Sequence, residues 1–272
     1  MTISSDAKKH GIIPLKKYSQ NFIFDSTLCD KIVRASGVKQ NDVVLEIGPG
    51  SAGLTRSILN CSPKLLTIVE IDNRCINLLN EIKHDYKNLN IIQKDALEFD
   101  ISEISSVDEK VVIVSNLPYN IGTELIVRWI KQSYLISSMT LMLQKEVVDR
   151  IRAKCSTKAY SRLSVICQLA FDVEKGFDIS RKAFYPMPKV ESSIIKLIPK
   201  QLCISVDLIK KIEEVTKYAF MQRRKMLKSS LKNLIIASDA DRLGIDLTKR
   251  AEDLSPEQYM ILANWLLNKH GT

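Results

Sequence analysis

One stretch constrains this chain more than any other: Val43-Val44-Leu45-Glu46-Ile47 leads into Gly48-Pro49-Gly50-Ser51-Ala52-Gly53, and Leu54-Thr55-Arg56-Ser57-Ile58-Leu59 follows. A short, mostly apolar run rich in β-branched residues is the pattern of a strand buried in a parallel sheet. Glycines at G-x-G-x-x-G spacing then form a turn whose backbone N–H groups can approach a ligand closely, and the residues beyond have helical spacing. A tight turn without a ligand would use the same glycines, so the neighbouring segments have to decide between the two readings.

They continue the pattern. Residues 65–71, 91–92, 111–114 and 139–143 read as strands, with helices over 74–82 and 123–131 between them. Upstream, residues 25–35 space Leu28, Ile32 and Val33 on one helical face, opening on Asp25 and Ser26 and ending near Gly37. Such alternation argues for a doubly wound, mostly parallel α/β sheet. Two further extended segments, 163–173 and 192–198, are close enough in sequence to pair as an antiparallel hairpin at the sheet edge, making seven strands. Past Pro199 only helical periodicity remains, over 206–234 and 256–267. The expectation is a catalytic domain over 1–200, opening on a flexible basic arm with Lys8, Lys9, His10, Lys16 and Lys17, and a smaller helical domain over 201–272.

A net charge of +9 over 272 residues favours a polyanionic partner. Six scattered cysteines form no C-x-x-C pair and meet only three histidines, which argues against zinc, any other metal site or a disulfide framework. The first twenty residues lack the apolar core of a signal peptide, and no run approaches membrane-spanning length. A soluble, cytoplasmic, monomeric protein is expected.

In an open parallel sheet the ligand lies at the carboxyl ends of the strands. The second strand ends at Glu70, about 20 residues beyond the glycine turn, where an acid meets a ribose. The third ends near Asp95, where a carboxylate can accept from an exocyclic amine. The fourth runs into Ser115-Asn116-Leu117-Pro118-Tyr119-Asn120, which joins an amide, a proline-stiffened turn and an aromatic face. Methylating an adenine N6 requires those groups. The amine lone pair is delocalised into the ring, and two acceptors, the Asn116 side-chain oxygen and the carbonyl of Leu117 or Pro118, can take both N–H bonds and aim the lone pair at an activated methyl. Tyr119 offers a stacking surface for the extruded base, worth ~1–3 kcal/mol. A nicotinamide-dependent dehydrogenase shares the glycine spacing and Glu70. Pro49, however, removes an N–H from the loop that would cradle a pyrophosphate.

These residues add up to a resemblance. Gln20-Asn21-Phe22, Glu46-Ile47-Gly48-Pro49-Gly50, Glu70-Ile71-Asp72, Asp95-Ala96, Asn116-Leu117-Pro118-Tyr119-Asn120 and Phe184-Tyr185-Pro186-Met187-Pro188-Lys189-Val190-Glu191-Ser192 resemble, in order, the motif series of the ribosomal RNA small-subunit adenine N6,N6-dimethyltransferases. The resemblance implies a Rossmann-like class I methyltransferase fold. It implies that S-adenosyl-L-methionine is held by Asn21, Ile23, Gly48, Glu70, Asp95 and Asn116. It further implies that Asn116, Leu117, Pro118 and Tyr119 receive the target adenine, with Phe184 as a second stacking face. Two departures, Ser19 for the family's usual glycine and Ile23 for its commoner leucine, bear on how the N-terminal arm closes over the cofactor.

Relatives with the same core methylate large-subunit RNA and confer macrolide resistance. Phe220-Met221-Gln222-Arg223-Arg224-Lys225-Met226-Leu227 and Arg250-Ala251-Glu252-Asp253-Leu254-Ser255 resemble the small-subunit branch instead, whose product is two adjacent dimethyladenines near the 3′ end of 16S rRNA. The implied partner is small-subunit rRNA in a 30S ribosomal precursor, with a role in small-subunit biogenesis. A non-catalytic ribosome-assembly protein on the same fold is the other reading. By spacing alone, Arg224, Lys228 and Lys232 make one helical stripe flanked by Arg223 and Lys225, and Phe220, Leu227, Leu231 and Leu234 fall on a separate apolar face. Arg223, Arg224, Lys225 and Lys228 are the candidate RNA contacts. A second basic run, Lys145, Arg150, Arg152, Lys154, Lys158 and Arg162, either borders the target pocket or is a charged loop.

Overall fold

A computed structural model of the chain describes residues 2–15, 20–201 and 204–269. Lys16, Lys17 and Ser19 lie outside the described residues. The chain forms two compact units, one of residues 1–148 and 174–199 and the other of 149–173 and 200–272.

The first unit begins with α1 (Ile3–Lys9), where the sequence suggested a flexible arm. Thr2 and Ser5 cap each other, and Ile3 and Ala7, one helical turn apart, are buried. Asp6 pairs with Arg56 at 2.8 Å, and Lys9 with Glu81 at 2.9 Å. That apolar pair and those ionic contacts are what dock the segment. After the two-residue strand β1 (Phe22–Ile23) comes α2 (Ser26–Ser36), whose N-cap is Asp25 and whose C-cap is Gly37 in the left-handed region.

The α/β succession then follows: β2 (Val43–Ile47), α3 (Gly53–Leu59), β3 (Leu65–Glu70), α4 (Asn73–Asp85), β4 (Leu89–Gln93), β5 (Val111–Asn116), α5 (Gly122–Ile130) and β6 (Ile136–Gln144). All five residues of β2 are buried, as expected of a parallel strand covered on both faces. The sheet has seven strands in the order β4-β3-β2-β5-β6-β9-β7. β4, β3, β2, β5 and β6 pair in parallel, and β9 (Ser192–Pro199) joins β6 antiparallel. Because β3 and β4 lie on one side of β2 while β5 and β6 lie on the other, the switch point is the crevice between the ends of β2 and β5.

The edge differs from the expected hairpin. Residues 163–170 belong to a helix, α7 (Arg162–Ala170), which follows α6 (Lys145–Ile151), and the strand β7 is Phe171–Ile179. Ser164, Val165, Ile166, Cys167, Leu169 and Ala170 are all buried, so α7 shows little contrast between a buried and an exposed face for a period to reveal. β8 (Phe184–Tyr185) leaves the main sheet and pairs antiparallel with β1 in a separate two-stranded ribbon.

The second unit holds α7, α8 (Val206–Met221), α9 (Leu227–Ser230), α10 (Ala237–Arg242) and α11 (Pro256–Lys269), with α8 packed on α11 and α7 on both. The sequence boundary near Lys200 is one edge of this unit, but residues 149–173 also belong to it because α7 packs on α8 and α11. The continuous helix expected over 206–234 stops at Met221, with Gln222 out of helical conformation. Met226 bridges Arg250, and the N–H groups of Leu227 and Lys228 donate to Lys249 and Leu247 carbonyls, so backbone pairing overrides helical spacing. The apolar side still packs inward, with Leu227 and Leu231 fully buried. Among the described residues no helix is long and apolar enough to cross a membrane.

Candidate active site

A cavity of about 290 Å³ opens at the switch point, lined by residues that end β2, β3 and β5, follow β4, and surround β1. Gly48 and Gly50 both have positive φ, 64° and 57°, which turns the chain sharply off β2. At Gly50 close approach adds to this, since a Cβ would lie 2.7 Å from Cε1 of Phe22. The Phe22 ring therefore closes over the turn, in a role its place in the Gln-Asn-Phe motif left unassigned.

Glu70 ends β3, and its Oε1 accepts the N–H groups of Ile71 and Asp72, each at 2.8 Å. Burial raises its pKa, opposed by those backbone donors. Asp95 is half-buried on the cavity wall, its Oδ1 taking the Leu97 N–H at 2.9 Å. Glu46, which opens one of the motifs but was given no role by the sequence, also reaches the cavity. It is 1% exposed, its Oε2 accepts from Thr55 Oγ1 at 2.7 Å, and burial holds its pKa up to about 8.

At the end of β5, Asn116 Nδ2 donates to the Asn21 carbonyl at 3.1 Å. With the amide nitrogen engaged there, Oδ1 is the acceptor the side chain has to offer. The carbonyl of Pro118 already receives the N–H groups of Ile121 and Gly122 at the start of α5, at 3.2 and 3.0 Å. Of the two carbonyls left open by the sequence, that of Leu117 is the one with no hydrogen bond among the described residues. Tyr119 is fixed by a 2.6 Å hydrogen bond between its hydroxyl and Ser192 Oγ, and burial raises its pKa.

Asn21, Ile23, Gly48, Glu70, Asp95, Asn116, Leu117, Pro118 and Tyr119 thus all line one cavity. Phe184 does not. It is 5% exposed and belongs to the apolar core. Alternation along β8 turns its neighbour Tyr185 outward instead.

The four basic candidates of the second unit separate as well. Arg223 Nε lies 2.5 Å from Glu252 Oε2, and its Nη2 donates to the Thr157 and Lys158 carbonyls, so its donors tie loops together. Arg224, Lys225 and Lys228 are exposed, but in a turn and a short helix rather than on one stripe. Arg152, Lys154, Lys158 and Arg162 are exposed in the same unit, while Lys145 in the first unit pairs with Asp178 at 2.9 Å. None of that second run lines the cavity.

A pyrophosphate here would meet a proline where it needs an N–H and carboxylates where it needs cations. A cationic cofactor meets the reverse: carboxylates on the cavity wall at Glu70 and Asp95, and a turn that admits a close approach. Fold and cavity together define a class I S-adenosylmethionine-dependent methyltransferase. The model of the family described as ribosomal RNA adenine dimethylase matches residues 15–268. The chain is 43% identical over 263 residues to the ribosomal RNA small subunit methyltransferase A of Agrobacterium fabrum, covering 95% of both chains. It is 41% identical to the protein of that name from Brucella abortus, covering 94% of each. Among solved structures, a dimethyladenosine transferase from Plasmodium falciparum superposes with a TM-score of 0.77 at 26% identity, over 92% of this chain and 98% of that one. The 23S rRNA methyltransferase ErmE superposes at 0.66 with 25% identity, over 90% and 99%. The chain belongs to the ribosomal RNA adenine dimethylase family.

Proposed function

We propose that the protein transfers methyl groups from S-adenosylmethionine to N6 of two adjacent adenines near the 3′ end of 16S rRNA. The observation that carries the chemistry is the pair of acceptors at the end of β5, Asn116 Oδ1 and the Leu117 carbonyl, held beside the cavity with the amide nitrogen already engaged by Asn21. When bound, the cofactor supplies an electrophilic methyl on a sulfonium. Asn116 and Leu117 accept the two N6 hydrogens and direct the nitrogen lone pair toward that methyl. The new N–C bond leaves the amine strongly acidic, and its proton departs to water, so no strong general base is required. Tyr119, held by Ser192, supplies a face for the extruded base.

Asn21, Ile23, Gly48, Glu70 and Asp95 hold the cofactor in this reading. The small-subunit branch is favoured over the large-subunit branch by relatives 40–43% identical that carry the small-subunit name, against 25% for ErmE. Arg224, Lys225 and Lys228 are the RNA contacts, and Arg223 braces the surface they stand on. The substrate is a 30S precursor particle, met in the cytoplasm by a monomer. The test supplies labelled cofactor and unmodified small ribosomal subunits, with bases mapped by mass spectrometry. Adjacent dimethyladenines near the 3′ end are expected, and Asn116→Ala is expected to abolish transfer while RNA binding persists. Label on large-subunit RNA only, or unchanged turnover in that variant, would overturn the reading.

A further inference from the structure

We propose that Tyr185 is a second base-stacking platform, which receives the nucleotide next to the target adenine on the substrate strand. The inference rests on the reading that an adenine enters the cavity at Asn116. In the β1–β8 ribbon, Phe22 stands directly opposite Tyr185 and Ile23 opposite Phe184. Directly opposed residues share a face of the ribbon, and their Cα atoms lie roughly 4.5–5.5 Å apart. Phe22 and Ile23 both line the cavity, so β1 forms part of its wall and Tyr185 lies one strand beyond it, opposite Phe22.

Tyr185 is 60% exposed. Its ring leans on Phe24 at 6.2 Å between centroids, and Phe24 in turn meets Phe22 edge-on at 6.3 Å. A continuous aromatic path therefore runs from the glycine turn to solvent, and its last member has an uncovered surface. Its hydroxyl has no hydrogen-bond partner among the described residues, so packing does not account for a tyrosine here.

The charge around it suits one occupant. Residues 181–190 carry Arg181, Lys182 and Lys189, all exposed and outside any ion pair among the described residues, and no carboxylate. Exposed cations interleaved with a free aromatic face are what a single nucleic-acid strand requires, with phosphates on the cations and a base on the ring. Met187, two residues on and 56% exposed, adds apolar surface to the same segment.

The experiment uses the full chain, unmodified small ribosomal subunits and labelled cofactor, comparing wild type with Tyr185→Ala and Tyr185→Trp, and measures cofactor affinity separately by calorimetry. Tyr185→Ala is expected to raise KM for the particle roughly 10-fold, the loss of one stacked base, with kcat and cofactor affinity unchanged. Tyr185→Trp is expected to restore KM. An unchanged KM, a loss that tryptophan fails to rescue, or a fall in kcat or cofactor affinity without a rise in KM would overturn the proposal. Failure of the wild type to label small-subunit RNA would instead remove the functional reading, and this inference with it.

Discussion

Glu46→Gln isolates the consequence of burying a carboxyl group under the glycine turn. The side chain is 1% exposed and, among the described residues, has one side-chain hydrogen-bond partner, the Thr55 hydroxyl. Desolvation raises its pKa from 4.5 to about 8, the Thr55 hydrogen bond works against this, and the charge of Glu70 adds to it. With a folded-state value above the unfolded one, the folded protein holds the proton more tightly. The stabilisation is therefore complete below about pH 4.5 and is lost as pH rises toward 8. The gap between the two values corresponds to roughly 5 kcal/mol at ~1.36 kcal/mol per pH unit, of which about 4 kcal/mol falls between pH 5 and pH 9. Glutamine keeps the shape and cannot ionise, so its stability lacks this dependence. Urea unfolding of cofactor-free wild type and variant at pH 5, 6, 7, 8 and 9, taken as a difference, cancels every other titration. The variant is expected to gain on wild type steadily from pH 5 to 8 and to level off above. A difference that stays flat across the range would refute the burial argument.

Gly50→Ala places a methyl 2.7 Å from the Phe22 ring at a φ of 57°, so a loss of roughly 1–3 kcal/mol of stability and weaker cofactor binding are expected by thermal melts and calorimetry. Arg223→Ala removes three hydrogen bonds inside the second unit and is expected to destabilise it by roughly 1–3 kcal/mol in chemical denaturation. Arg224→Glu is expected to leave stability unchanged while weakening rRNA binding and flattening its salt dependence in filter-binding assays. Tyr119→Phe strips the buried Ser192 hydroxyl of its partner and frees the ring, so single-turnover transfer at saturating RNA is expected to slow while cofactor affinity holds.

The parallel core was legible because its strands are continuous apolar runs broken by turn residues, and because catalytic side chains of such sheets cluster at strand ends. Glu70, Asp95 and Asn116 could be placed by that rule before any coordinate. Segments governed by tertiary contacts were not legible. α7 buries polar Ser164 along with its apolar residues, so 163–170 carries little of the contrast between faces that separates helix from strand. Arg224, Lys228 and Lys232 have helical spacing, yet backbone pairing with residues 247–250 unwinds the segment. Phe184 and Tyr185 are adjacent in one motif, and only the register of a two-residue ribbon decides which is buried. Glu46 stood in a motif, but its burial was hidden for a similar reason, since a charge inside a strand has no periodic signature.

α7 is made long before the residues that cover it. Its partners in the second unit, α8 and α11, are synthesised about 40 to 100 residues after Ile166, a delay of roughly 2 to 20 s at ribosomal speeds of ≈ 5–20 residues per second. A mostly apolar segment then waits on the nascent chain before the two helices that cover it have been made. For that interval its apolar surface stays uncovered, and truncation before α8 removes both covering helices.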